Sequence, residues 1–232
     1  MTELTADAFV AELTRRSSPE ELARIERLYR AAPGTELMGV RMKTVFDTAK
    51  AFERMPLDEV DRLFETRRYE PRVGAVSILD FKARRPRLDD DGRRALYELY
   101  LRRHDRIDNW DLVDRAAPRV IGGYLVDRSR QPLFDLAASP DVWRRRTAIT
   151  ATFFFVRQGD LDDTYALAEL LLDDPAEPIH KSVGTALREA GKVDVPRLVA
   201  FLGQHRQRMP RVTLRFAIER LDRGQRAALL AR

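Results

Sequence analysis

The feature that most restricts this chain is the spacing of its helix breaks. Helices that carry an Arg or Trp near their start begin near Gly39, Glu70, Asn109, Val142, Ile179 and Arg211. The separations are 31, 39, 33, 37 and 32 residues, and each interval has room for two helices and short loops. Between the breaks the apolar residues follow the helical period. Ser18 and Glu21 form a capping box around Pro19, and Leu22, Ile25, Leu28 and Tyr29 continue it as one stripe until Ala32-Pro33-Gly34. Val60, Leu63 and Phe64 mark a short helix after Pro56. Val73, Val76, Ile78, Leu79 and Phe81 mark a well-buried one over 72–82. Further helices are predicted over about 92–104 and 110–126, from Ser139-Pro140-Asp141 to about Arg157, over 161–172 and 177–189 before Gly191, and over 194–206 and 211–221. No stretch reads convincingly as a strand.

Two helices per 30–45 residues predict an all-α fold, an α-solenoid of HEAT-like two-helix repeats. No such unit buries its own face, so stacking supplies the core. A plain helical bundle is the competing architecture. The whole of 1–232 is expected to form a single repeat domain, with N-terminal helices at about 5–34 as its cap.

Charge recurs at the same phase of the repeat. Arg41 and Lys43 open one unit, Arg72 the next, and Arg144, Arg145 and Arg146 the fourth; His180 and Lys181 open the fifth, and Arg211 and Arg215 the last. Corresponding helices of a solenoid line one concave face, so these residues predict a basic groove able to track a phosphate backbone. The competing view is that each arginine lies along its own helix surface. Net charge is only +5, from 42 Lys and Arg against 37 Asp and Glu. Arginine dominates, however, and its planar fork suits phosphate.

Composition removes several chemistries. Without cysteine there is no disulfide, no Cys-based zinc site and no thiol nucleophile. His104, His180 and His205 are too scattered for a metal site, and neither metal nor cofactor is expected. Residues 1–10 are acidic and amphipathic, unlike a secretory signal, and no apolar run is long enough to span a bilayer. The expectation is a cytoplasmic, nucleoid-associated monomer without membrane contact.

One stretch carries a candidate catalytic pair. In Asn109-Trp110-Asp111-Leu112-Val113-Asp114, Trp110 and Asp114 stand four residues apart in a helix, which sets an aromatic face beside a carboxylate. Taken alone, the pair also fits a core tryptophan and a solvated aspartate. Asp111 is about 100° round the helix from Trp110 and reads as a solvated or capping residue.

Four segments, in order, resemble the DNA alkylation repair family of HEAT-repeat DNA glycosylases, the AlkD type. They are Gly39-Val40-Arg41, Asn109 to Asp114, Trp143 to Ile149, and His180 to Glu189, within a resemblance covering about 38–220. The resemblance implies a solenoid that holds duplex DNA and releases cationic N3- or N7-alkylpurines without flipping the base. It places the catalytic aromatic and carboxylate on Trp110 and Asp114, a DNA-gripping arginine on Arg145 or Arg146, and another on Arg188. Lys181, Arg41 and Arg72 join these as expected phosphate contacts. The family's lesion-facing tryptophan is replaced by Thr185. Either the cleft is widened for a bulkier adduct, or lesion-specific stabilisation is gone and the protein only binds damaged or branched DNA. The chemistry suits the residues. A cationic alkylpurine is already an activated leaving group, so one carboxylate serves and no general acid is needed. A scaffold for acidic protein partners is a third reading, and it gives no role to a carboxylate beside an exposed aromatic.

Overall fold

The structure, a computed structural model, describes residues 3–28, without the side chain of Leu28, and 34–230. Leu28 and Tyr29 of the predicted stripe, and the Ala32-Pro33 break, therefore lie outside what is described. The Ser18 box is present, with Ser18 Oγ accepting the Glu21 N–H at 3.1 Å. The fold is all-α and solenoid-like. The described residues contain one isolated β-bridge, between Glu36 and Arg68.

The chain divides into two compact units, Met1–Val120 and Ile121–Arg232. The first contains α1 (Ala6–Arg15), α2 (Pro19–Leu28), α3 (Met42–Ala51), α4 (Leu57–Glu65), α5 (Tyr69–Ala83), α6 (Asp90–Arg102) and α7 (Trp110–Ala117). The chain then runs through a π-helical segment, Pro118–Gly122. The second unit contains α8 (Gly123–Leu125), α9 (Gln131–Ala137), α10 (Val142–Ala151), α11 (Phe153–Val156) and α12 (Asp162–Leu170). It ends with α13 (Glu177–Gly191), α14 (Val195–His205), α15 (Arg211–Ala217) and α16 (Arg223–Leu230). The six predicted unit starts fall within three residues of α3, α5, α7, α10, α13 and α15. The helix expected over 110–126 is divided because Pro118 lacks the N–H that a regular turn needs. The helix expected to reach Arg157 breaks at Thr152, whose hydroxyl donates to Ile149 O at 2.7 Å. Helices α9 and α16 are additions to the expected set. For α16 a signal exists: Asp222 Oδ1 accepts the Gln225 N–H at 2.9 Å, a D-x-x-Q start.

In unit 1, α5 is the central element, buried along almost its whole length and packed on α3, α4 and α7. Its first turn carries two buried charges. Glu70 accepts the N–H groups of Met38, Gly39 and Val40 at 2.9–3.2 Å, which pins the loop before α3. Gly39 is needed there twice over: its φ is +77°, and a Cβ would lie 2.7 Å from Ser18 O. Two residues along, Arg72 is 2% exposed. It donates to Asp108 at 2.8 Å, to Arg106 O at 3.1 Å and to Thr35 Oγ1 at 2.9 Å. Arg72 was expected to meet phosphate; it instead ties α5 to the loop that opens α7, and burial removes it from any surface.

In unit 2, α13 packs on α10, α12, α14 and α15. It comes close to α15 at Gly184, where a Cβ would sit 2.6 Å from both Thr213 O and Phe216 Cβ of α15. Gly184→Ala should therefore force the two helices apart, lowering stability by about 1–3 kcal/mol despite alanine's better helix propensity. Urea unfolding measures this, and an unchanged midpoint would refute the close contact.

Lys82 supplies a pH-dependent prediction. Burial, reinforced by Arg85 and opposed by Glu53, lowers its ammonium to about 8. Between there and the ordinary lysine range near 10.4 the unfolded chain holds the extra proton, so this contribution to stability rises with pH. Below pH 8 the cost of burying the charge is present in full. Lys82→Met should thus stabilise the protein most at pH 7, with the gain shrinking towards pH 10. Equal gains at both values in chemical denaturation would contradict this.

Candidate nucleic-acid interface

Helix α7 buries Leu112, Val113, Ala116 and Ala117 on one side. That leaves Trp110 and Asp114, about 40° apart around the axis, on the opposite side. Trp110 is 53% exposed and Asp114 is exposed as well, so the core reading of the tryptophan is excluded. The helix start is firmly made. Asn109 is buried and its Oδ1 accepts the Trp110 N–H at 2.7 Å, while Arg72 holds Asp108 immediately upstream. Asp111 Oδ1 accepts the Leu112 N–H at 3.0 Å in the first turn, a position where its charge suits the helix dipole.

The residue after Asp114 anchors the helix inward. Arg115 lies with its guanidinium carbon 4.8 Å from the ring centroids of both Phe46 on α3 and Phe81 on α5. It donates to Ser77 Oγ at 3.1 Å and stands 3.5 Å from the fully buried Asp80. Arg84 donates to the same carboxylate at 2.5 and 2.9 Å, and Arg119 approaches it at 3.5 Å. Burial lowers the Arg115 guanidinium; Asp80 acts against that, while Arg84 and Arg119 add to it. Three arginines around one aspartate leave this part of unit 1 positively charged. Sequence reasoning did not single out Arg84, Arg115 or Arg119, although the i, i+4 spacing of Asp80 and Arg84 is visible. The expected Arg41 lies at the surface, 3.3 Å from Glu21.

In unit 2, Lys181, Thr185 and Arg188 occupy successive turns on one stripe of α13, at i, i+4 and i+7. Lys181 is exposed and 2.7 Å from Glu177; Thr185 is half-buried. Arg188 is paired with Glu219, two residues beyond α15, and lies 3.3 Å from Glu189. The arginine triplet on α10 divides by environment. Arg145 makes a bidentate pair with Asp174, at 2.5 and 3.1 Å, and donates to Ser139 O and Pro140 O. Arg146 is 8% exposed and donates to Pro178 O at 2.7 Å. Both tie α10 to the segment that opens α13. Arg144 is the exposed member, with its Nε 4.0 Å from Asp141. It has the solvent access that Arg145 and Arg146 lack, and the segment's spacing alone did not single it out.

Among the described residues, no group of three or more His, Asp and Glu side chains is placed to hold a metal ion. No described helix is long and apolar enough to cross a membrane.

The chain is similar in fold to a predicted DNA alkylation repair enzyme from Enterococcus faecalis, with a TM-score of 0.69 at 14% identity, covering 90% of this chain and 98% of that one. No curated protein matches it. The sequence model of the DNA alkylation repair enzyme family matches residues 9–221. With that match over most of its length, and with the helix order already described, the chain belongs to the DNA alkylation repair enzyme family.

Proposed function

We propose that the protein is a DNA glycosylase that releases N3- or N7-alkylated, positively charged purines from duplex DNA without flipping the base. The observation that carries this reading is the face of α7: a tryptophan more than half exposed, one turn before an exposed aspartate, on a helix whose start is held by Asn109 and Arg72. A fold that keeps a large aromatic in solvent forgoes its burial, and a cationic nucleobase or sugar is a fitting partner for the ring.

In the proposed reaction the glycosidic bond breaks and its electron pair leaves with the alkylpurine, which becomes neutral. The Asp114 carboxylate stabilises the positive charge that develops on the sugar. It also orients a water molecule, whose oxygen bonds to C1′ and whose proton passes to solvent. Trp110 packs against the deoxyribose and favours the cationic nucleotide. In this reading Arg41, Arg144, Lys181 and Arg188 meet phosphates, and such contacts position a duplex without reading its sequence. Arg145 and Arg146 tie α10 to the start of α13, within unit 2.

Asp114→Asn should lower release of N3- and N7-methylpurine from alkylated duplex by about 100-fold or more, while duplex affinity changes little. If wild type and Asp114→Asn both release nothing yet bind duplex, the protein is a non-catalytic binder of DNA, the reading that Thr185 favours. A second measurement addresses that position. Thr185→Trp restores an aromatic wall and should raise release of small methyl adducts relative to bulky ones; an unchanged ratio would remove Thr185 from lesion recognition.

A further inference from the structure

The charge of this chain is concentrated at one end. The 27 residues from Arg206 onward hold eight arginines against Glu219 and Asp222, a net +6, so the preceding 205 residues carry a net charge of −1. Five of these arginines, Arg211, Arg215, Arg220, Arg223 and Arg226, are exposed, and none makes an ion pair among the described residues. Four arginines elsewhere in unit 2, Arg130, Arg145, Arg188 and Arg197, face carboxylates.

Four of the five, all but Arg220, line two grooves. After α15 the chain turns at buried Leu221 into α16, where Leu229 is buried and Arg206 donates to Ala228 O at 3.0 Å. An open groove of about 790 Å³ results, lined by Arg211, Val212, Arg215, Phe216, Glu219 and Leu230. A second groove, of about 410 Å³, shares Arg215, Glu219 and Leu230 and adds Arg223 and Arg226. The positive charge thus extends over two helices above a shallow apolar floor, instead of gathering around one closed pocket. That distribution suits a polymer with regularly repeated charge, and guanidinium groups pair with phosphate through two parallel hydrogen bonds. Glu219 is the single acid lining the grooves. Its hydrogen bond with Arg188 holds its carboxyl below the usual range, so it sits as a counter-ion to a residue of the α13 stripe.

We propose that this groove is a second DNA contact, at which Arg211, Arg215, Arg223 and Arg226 bind phosphates of undamaged duplex. It rests on the reading above only in taking duplex DNA as the ligand; it requires neither Asp114 nor an alkylated base. Phosphate entering beside Arg188 would replace Glu219, which joins the groove to the surface carrying Lys181 and Thr185.

The test is binding of the full chain to an undamaged duplex over a salt series, comparing wild type with the Arg211→Gln, Arg215→Gln, Arg223→Gln, Arg226→Gln variant. Each phosphate contact contributes about 0.9 to the slope of log affinity against log salt, so the variant should lose roughly 2–4 of that slope. The matching four-lysine variant should retain it. Neutralising four exposed arginines of unit 1, Arg24, Arg67, Arg87 and Arg93, is the control for net charge and should cost less. Far-ultraviolet circular dichroism melts identify any variant that fails to fold, in which case the lysine set and single substitutions decide. An unchanged slope in a folded glutamine variant overturns the proposal. So does competition by polyglutamate as strong as that by DNA of equal charge, which would mark the groove as a site for acidic protein. Base release separates this inference from the glycosylase reading. No release by wild type with a reduced slope in the variant refutes only the glycosylase; normal release with an unchanged slope refutes only the groove.

Discussion

The first turn of α5 is the constraint on which unit 1 depends. Glu70 and Arg72 are both buried, and each reaches a different loop: Glu70 the backbone before α3, Arg72 the segment before α7. Taking two charges out of water is costly, and the cost is recovered only where nearly every polar atom finds a partner. Three backbone N–H groups meet the carboxylate, and a carboxylate, a carbonyl and a hydroxyl meet the guanidinium. Removing either partner would strand a charge in the interior. One turn of helix therefore sets where two neighbouring helices begin, and one of those is the helix that presents Trp110 and Asp114.

Much of this fold was legible because its breaks are chemically explicit. Ser18 with Glu21, Asn109, Asp141 and Asp194 are capping residues that declare themselves in the sequence, and side-chain oxygens accept backbone N–H groups at each of these starts. Of these, Asn109 and Asp141 stand at two of the six unit starts that set the period of about 30–40 residues. Internal interruptions were harder to see. Thr152 bends a continuous apolar run, and the Pro118 segment joins two helical stretches without a loop, so neither announces an end.

The arginines show where sequence reading stops. Arg72, Arg144, Arg145 and Arg146 all lie near unit starts, yet only Arg144 is exposed; the three consecutive arginines of α10 step round it by about 100° each. Helical phase states which side of a helix a residue lies on, not whether the neighbouring helix covers it. Whether an arginine meets solvent here depends on an acceptor distant in sequence: Asp108 for Arg72, Asp174 for Arg145, Pro178 O for Arg146. The same limit concealed Arg115, which is adjacent to Asp114 but turned towards two phenylalanines. Recurrence of arginine in this chain reports the joints between helices as well as the surface.

Gly184 has a consequence for how such a protein can change. With α13 and α15 in near backbone contact there, the turn bearing Thr185 and Arg188 has little freedom to shift. A side chain exchanged at 185 is then presented from an unaltered backbone, as an interchangeable bit in a rigid holder. A substitution at 185 thus changes the surface that α13 presents while the helix pair that displays it stays in place.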